Sequence, residues 1–129
     1  DGGFAADRSA GAEWLRRMAG LASADADRLI VTAGAQQGIA VALSALLRPG
    51  DAMIVEAATF NGVKLAAARM GLRSVAAVMD AEGVTPDALE GAAAASGARV
   101  AYLQPFQNPT ARVMGLQRRS RYPKAVEEA

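Results

Sequence analysis

The sequence predicts an α/β fold, with a mostly parallel sheet that is covered by helices on both faces. Two observations lead to this prediction. Short segments of apolar and β-branched residues alternate along the chain with longer segments of helical periodicity. The helical segments are closed by glycine or proline stop signals such as Pro49-Gly50 and Gly71. An alternation of strand and helix is typical of a parallel sheet that lies between two layers of helices.

The elements follow in order along the chain. A first helix is predicted over Glu13–Met18, with Trp14, Leu15 and Met18 on one face, and a polar loop follows it. The predicted strands are 28–32, 51–56, 72–79 and 99–103, and the predicted intervening helices are about 36–47, 61–70 and 85–95. Thr85 is expected to cap the last helix with Pro86 at its first position, and Asp80–Gly83 is a predicted turn.

Composition excludes several classes of site. The chain has 129 residues, of which 52% are hydrophobic, so it is one domain or part of one. A net charge of +1, with arginines clustered only at 118, 119 and 121, argues against a nucleic-acid-binding surface. Cysteine and histidine are both missing, which excludes disulfides, thiolate metal sites and a histidine base. The longest apolar run, Ile39–Leu47, is too short for a membrane span, and we expect a soluble, cytoplasmic protein.

Function in such a sheet is expected in the loops that follow the strands. The first loop, Thr32–Gln37, leads into a helix N-terminus, where unpaired backbone N–H groups favour a phosphate. Gly34 permits the tight turn, and Ala33 and Ala35 are small enough for a ligand to approach the backbone. The dinucleotide and P-loop fingerprints are missing, so a plain turn is an equally good interpretation of this loop alone.

Two further loops carry a ring and an amide. Phe60 lies in the loop 56–62, where it either stacks on a flat ligand or packs in the core. Asn108 follows the strand 99–103, and Pro109 keeps it out of the helical region with its amide free, although an ordinary Asn-Pro turn explains the pair as well. A phosphate cradle, an aromatic ring and an amide together fit an aromatic phosphate ester.

Five strings in order resemble one family. They are Val31–Gln37, Leu47–Asp51, Glu56–Gly62, Met79–Leu89 and Tyr102–Thr110. This series is similar to the large domain of class I/II aminotransferases of fold type I, which bind pyridoxal 5′-phosphate. It is most similar to the aminotransferase-like domain of MocR-type transcription regulators in the GntR superfamily. The resemblance covers roughly residues 10–116. The whole chain is expected to be part of one such domain, with an N-terminal helix and loop over 1–27, a core over 28–116 and a tail over 117–129.

The resemblance implies a role for each matching residue. Gly34, Ala35 and Gln36 would bind the cofactor phosphate, Ala35 through its backbone because it lacks the serine hydroxyl of many relatives. Phe60 would stack on the pyridine ring at a position that is often tyrosine, and Asn108 would bond the phenolic oxygen of the ring. The chain departs from the pattern at Asn61, where relatives often have proline, and at Ala111, where many have glycine.

The resemblance also implies residues that this chain does not show. The family's Schiff-base lysine, its aspartate at the pyridinium nitrogen and its substrate-binding arginine all lie downstream of the asparagine. The only lysines here, Lys64 and Lys124, match neither context. We therefore expect no catalytic residue in this chain, no activity of the chain alone, and a longer polypeptide of which it is a part.

Two functions remain open at this stage. The longer protein is either a MocR/GntR-type regulator, whose domain senses cofactor or an amine, or an aminotransferase that moves an amino group between an amino acid and a 2-oxo acid. The expected partners are a small amine or amino acid and a second copy in a homodimer, with DNA bound only through another domain. An unrelated nucleotide-binding sheet is the third alternative.

Overall fold

A computed structural model of the chain describes residues 2–122. The chain divides into two compact units, Asp1–Gly38 and Ile39–Ala129. The boundary falls inside helix α2, Ala35–Leu46. Each unit has its own set of internal contacts and is described by itself below.

The first unit is built on helix α1, Ala5–Met18, which begins well before the predicted Glu13. The early start follows from the alanine-rich stretch before Glu13, because alanine has the highest helix propensity. A short 3₁₀ turn, Ala26–Arg28, packs against the helix. Arg8 Nε donates a hydrogen bond to Ala26 O at 3.2 Å, which connects the two elements.

The predicted strand over 28–32 is wrong. Arg28 ends the 3₁₀ turn, and the residues from Leu29 to Gly34 are neither helix nor strand. Val31 N–H donates to Gly2 O at 2.8 Å, but this single bond forms no ladder. The β-branched residues of this segment favour an extended backbone, whereas a strand also needs a neighbour that pairs with it.

The second unit contains a parallel sheet, which confirms the predicted fold class. Its strands are β1 (Ala52–Glu56), β2 (Arg73–Ala77) and β5 (Ala101–Tyr102), and the intervening helices are α3 (Asn61–Arg69) and α4 (Pro86–Ser96). The three strands lie in the order β2-β1-β5 and are parallel throughout. Each element lies within a few residues of its predicted bounds.

Strand β1 lies in the middle of the sheet, and its side chains point alternately to the two faces. One hydrophobic cluster contains Met53 and Val55 with residues of α2 and α3, and the other contains Ala52 and Ile54 with Leu89 of α4. Helices therefore cover both faces of the sheet, as predicted.

The third predicted strand, 72–79, is divided in the structure. Its first part is β2, while Met79–Asp80 forms strand β3, which pairs antiparallel with β4, Gly83–Val84. The predicted turn at 80–83 is the tip of this hairpin, where Asp80 Oδ1 accepts the Glu82 N–H at 2.8 Å. Gly83 has φ +112°, a conformation that favours glycine.

Local signals define α4 as predicted. Thr85 Oγ1 accepts the Ala88 N–H at 3.1 Å, Pro86 opens the helix, and Gly97 ends it at φ 69°. A last short helix, α5 (Leu116–Arg119), begins at the last residue of the predicted core and overlaps the start of the predicted tail. None of the helices within residues 2–122 combines the length and apolar character needed to cross a membrane.

Candidate functional site

Three loops contain the predicted site residues, and the first leads into helix α2. Gly34 has φ +114°, and a side chain at this position would meet no atom within 4 Å, so the turn is open above the glycine. Ala35 and Gln36 are the first residues of α2, and both are exposed. The first turn of α2 contains no acidic residue. Its unpaired N–H groups therefore form a donor set that suits a phosphate.

The same turn is stabilised by Gln37, the third residue of α2. Gln37 Oε1 accepts a hydrogen bond from the Ala33 N–H. Thr32 Oγ1 donates to Gly34 O at 3.2 Å. Gln37 is thus part of the turn's support, although a glutamine at this position carries no distinctive sequence signal.

The second loop, residues 57–60, follows β1 and is called the Phe60 loop below. Phe60 is half-buried and occupies the N-cap position of α3, where its side chain provides no capping bond. Its backbone N–H donates instead to Gln104 Oε1 at 3.2 Å, across to the segment that follows β5. Phe60 is therefore neither a fully buried core residue nor a free surface ring.

The third loop, residues 103–114, follows β5 and is called the Asn108 loop below. Asn108 is exposed, and its side-chain amide makes no hydrogen bond to any other described residue. The loop folds back on itself, because Ala111 N–H donates to Gln107 O and Gln107 N–H donates to Arg112 O, both at 2.9 Å. The amide is thus held on a structured loop with its donors and acceptor available.

Gln107, beside Asn108, is a functional candidate that sequence reasoning missed. Its side chain is only 3% exposed, and its Oε1 accepts the Thr110 hydroxyl at 2.8 Å. Its Nε2 lies against Gly83 and has no hydrogen-bond partner among the described residues. Gln107 therefore supports the Asn108 loop from the side of the β3–β4 hairpin.

The Phe60 and Asn108 loops are joined by a buried carboxylate. Glu56, the last residue of β1, is fully buried, and its Oε1 accepts the Gln104 N–H at 3.2 Å. Its Oε2 accepts the Thr59 hydroxyl at 3.4 Å, and this hydroxyl also lies 3.3 Å from Gln104 Oε1. Burial raises the pKa of Glu56, although the bonds from Gln104 and Thr59 act in the opposite direction. Burial is also the main reason why the pKa of Tyr102 is raised, and the nearby negative charge of Glu56 raises it further.

The sequence positions of Glu56 and Gln104 are consistent with a polar contact at the edge of the sheet. Glu56 is a charged residue at the end of an otherwise apolar strand, and Gln104 is the first polar residue after β5. Such positions at the carboxyl ends of neighbouring parallel strands are close in space. Their pairing, however, depends on the strand order β2-β1-β5.

The structure thus brings some of the predicted residues together. Phe60 and Asn108 lie in one compact unit, on loops after the neighbouring strands β1 and β5. Gly34, Ala35 and Gln36 belong to the other unit. Lys64 lies on the exposed surface of α3, and Lys124 lies outside the described residues.

Comparison with known proteins connects these loops to a family. Residues 2–118 match the family model described as aminotransferase class I and II. An uncharacterized HTH-type transcriptional regulator of Bacillus subtilis, YdeF, is 30% identical over 94 residues, which are 72% of this chain and 20% of the regulator. The aminotransferase swnA of Metarhizium robertsii is 34% identical over 62 residues, which are 48% of this chain and 12% of that protein.

Solved structures show the same fold. An α-aminoadipate aminotransferase of Thermus thermophilus, LysN, was solved with N-(5′-phosphopyridoxyl)-L-leucine and superposes with a TM-score of 0.84 at 30% identity. A kynurenine aminotransferase of Pyrococcus horikoshii, solved with PMP, superposes with a TM-score of 0.83 at 28% identity. The match covers 98% of this chain in both cases, and 31% and 32% of those chains. The chain therefore spans about a third of these structures and a fifth or less of the curated relatives. With its parallel sheet and the family match over residues 2–118, the chain belongs to the class I and II aminotransferase family.

Proposed function

We propose that the chain is the pyridoxal 5′-phosphate-binding part of an aminotransferase-like domain. The main support is that the Phe60 loop and the Asn108 loop follow neighbouring parallel strands and are hydrogen-bonded to each other. The family match adds the cofactor class, and two solved relatives contain phosphopyridoxyl-leucine and PMP.

The residues present fit the three parts of this cofactor. The exposed N-terminus of α2, with Gly34, Ala35 and Gln36, offers backbone N–H groups to the phosphate. The half-buried Phe60 offers a ring face for stacking but no hydroxyl to donate. The exposed amide of Asn108 can donate to the phenolic oxygen.

Each side chain then has a defined task. When bound, the cofactor supplies an electron-withdrawing ring for chemistry at an amino acid. Phe60 orients that ring and shields one face from water. Asn108 stabilises negative charge on the phenolic oxygen through a hydrogen bond from its amide. The exposed N-terminus of α2 offers its N–H groups to the phosphate.

We further propose that the domain belongs to a MocR/GntR-type regulator and senses the cofactor or an amine. The supporting observation is the similarity to YdeF, which extends over 72% of this chain. In this proposal the partners are a small amine or amino acid and a second copy of the protein, and DNA is bound by a separate domain. The role of the whole protein is a proposal because the chain spans only 20% of that regulator.

A genuine aminotransferase is the alternative. It is favoured by swnA, at 34% identity over 62 residues, and by solved relatives that are aminotransferases. In this case the domain transfers an amino group between an amino acid and a 2-oxo acid, and the missing catalytic groups come from the rest of the longer protein.

Cofactor titration of the longer protein that contains this chain tests the proposal. Visible absorbance should appear on addition of pyridoxal 5′-phosphate, and Asn108→Ala should weaken binding about tenfold through loss of one hydrogen bond to a charged oxygen. The matched control is Gln117→Ala, which removes an exposed amide on α5. If the unmodified protein takes up no cofactor, or if the two variants lose affinity equally, the assignment of these loops is wrong.

A second measurement separates regulator from enzyme. The cofactor-loaded protein is incubated with an amino acid and a 2-oxo acid, and its DNA affinity is measured with and without the amine. Amino-group transfer without an effect on DNA binding supports the enzyme. A change in DNA affinity without transfer supports the regulator.

A further inference from the structure

We propose that Glu56 is a positioning residue, which holds the Phe60 loop and the Asn108 loop at a fixed separation through Thr59 and Gln104. The inference rests on the proposed function, because the separation of these loops matters for function only if a cofactor ring binds between the residues that they carry.

The position of Glu56 is unusual for a carboxylate. It is 0% exposed and directly follows Met53, Ile54 and Val55, which are all buried. Burying such a group is costly unless hydrogen bonds compensate. Within residues 2–122, no arginine or lysine forms an ion pair with it. Its bonds to Gln104 and Thr59 are therefore the compensating interactions.

These hydrogen bonds connect the two loops just beyond the last paired residues of β1 and β5. The paired residues of β1 and β5 end at Val55 and Tyr102. Beyond that point, the backbone N–H of Gln104 donates to Glu56 at the end of β1. Its side-chain Oε1 accepts the N–H of Phe60, in the Phe60 loop, at 3.2 Å. Glu56 and Gln104 thus extend the connection between residues 48 positions apart in sequence.

A near-isosteric change separates positioning from simple packing. Glu56→Gln keeps an oxygen that can accept the Gln104 N–H, but it replaces the oxygen near Thr59 with a donating NH₂ group. The hydroxyl of Thr59 can then no longer donate to this position and turns to Gln104 Oε1, 3.3 Å away, where it competes with the Phe60 N–H for the same acceptor. The volume of the buried side chain hardly changes, so packing is preserved while the hydrogen-bond network is altered.

The experiment compares Glu56→Gln with Val55→Ala in the longer protein. Val55 is the neighbouring buried residue of β1, and its truncation lowers stability without removing a side-chain hydrogen bond. Three quantities are measured: the cofactor dissociation constant, the circular dichroism of the bound cofactor, and the exchange rate of the Phe60 amide hydrogen without cofactor. Thr59→Val is a second variant for the case that Glu56→Gln does not fold.

We expect Glu56→Gln to raise the dissociation constant about tenfold, to change the dichroism of the bound cofactor, and to accelerate Phe60 amide exchange about tenfold. Val55→Ala should leave the dissociation constant within about twofold. Unchanged affinity and exchange in Glu56→Gln would overturn the proposal, as would equal losses of affinity in the two variants at equal loss of stability. If the unmodified protein binds no cofactor, the proposed function fails, and Phe60 amide exchange alone decides whether Glu56 joins the loops.

Discussion

Gly83→Ala should destabilise the protein and disturb the Asn108 loop. Gly83 has φ +112°, and a Cβ at this position would collide with Gln107 Nε2 and lie 3.2 Å from Met114 Cε. Gln107 is buried and bonded to Thr110, so its side chain cannot move aside freely. Backbone strain of about 1–3 kcal/mol and overpacking of about 1–3 kcal/mol predict a total loss of roughly 2–6 kcal/mol.

Gly91→Ala is the matched control. Gly91 lies inside α4, where an added Cβ meets no atom within 4 Å. Alanine is favoured over glycine in a helix interior by about 0.5–1 kcal/mol, so this change should stabilise the protein.

Urea unfolding followed by circular dichroism measures both variants, and a cofactor titration of each shows whether the Asn108 loop is affected. Gly83→Ala should also weaken cofactor binding, because Gln107 precedes Asn108 directly. If Gly83→Ala is as stable as Gly91→Ala, then Gln107 does not occupy the space above Gly83, and the described support of the Asn108 loop is incorrect.

Three further predictions concern pH and backbone conformation. Burial raises the pKa of Glu56, so its contribution to stability is present below the ordinary glutamate pKa and is lost as pH rises through the raised value. Unfolding free energies measured from about pH 4 to about pH 7 should therefore favour Glu56→Gln increasingly toward neutral pH, and a constant difference would contradict this. Ala111 has φ 55°, a backbone conformation that is less strained for glycine than for alanine. Ala111→Gly should therefore raise the free energy of unfolding by up to about 1 kcal/mol, whereas Ala68→Gly in α3 should lower it by about 1 kcal/mol. If urea unfolding shows Ala111→Gly to be less stable than Ala68→Gly, the positive φ of Ala111 is refuted. Gly34→Val should weaken cofactor binding about tenfold or more, because valine disfavours φ +114°. Gly20→Val, at φ +65° in the segment after α1, should leave the affinity unchanged. Equal affinities of the two variants in a cofactor titration would contradict the assignment of the phosphate to Gly34.

The sequence alone determined those elements whose signals lie within a few residues. Helix α4 is the best case, because Thr85, Pro86 and Gly97 define its two ends by local hydrogen bonds and local backbone preference. Strand β1 was predictable as a short apolar run, and the alternation of strands and helices predicted the parallel sheet with helices on both faces. The five strings in order also predicted the family over most of the chain.

The tertiary structure decided whatever depends on a distant partner. The residues from Leu29 to Gly34 form no strand, because β-branched side chains favour an extended backbone but do not provide a neighbouring strand to pair with. The predicted strand 72–79 is divided because its last residues pair with Gly83–Val84. The same limit applies to the site. Phe60 and Asn108 could be proposed from their loops, but the bonds from Glu56 to Gln104, 48 residues apart, exist only once β1 and β5 are neighbours. Buried hydrogen bonds between distant residues are a property of the folded chain, because burial and partner are both created by folding.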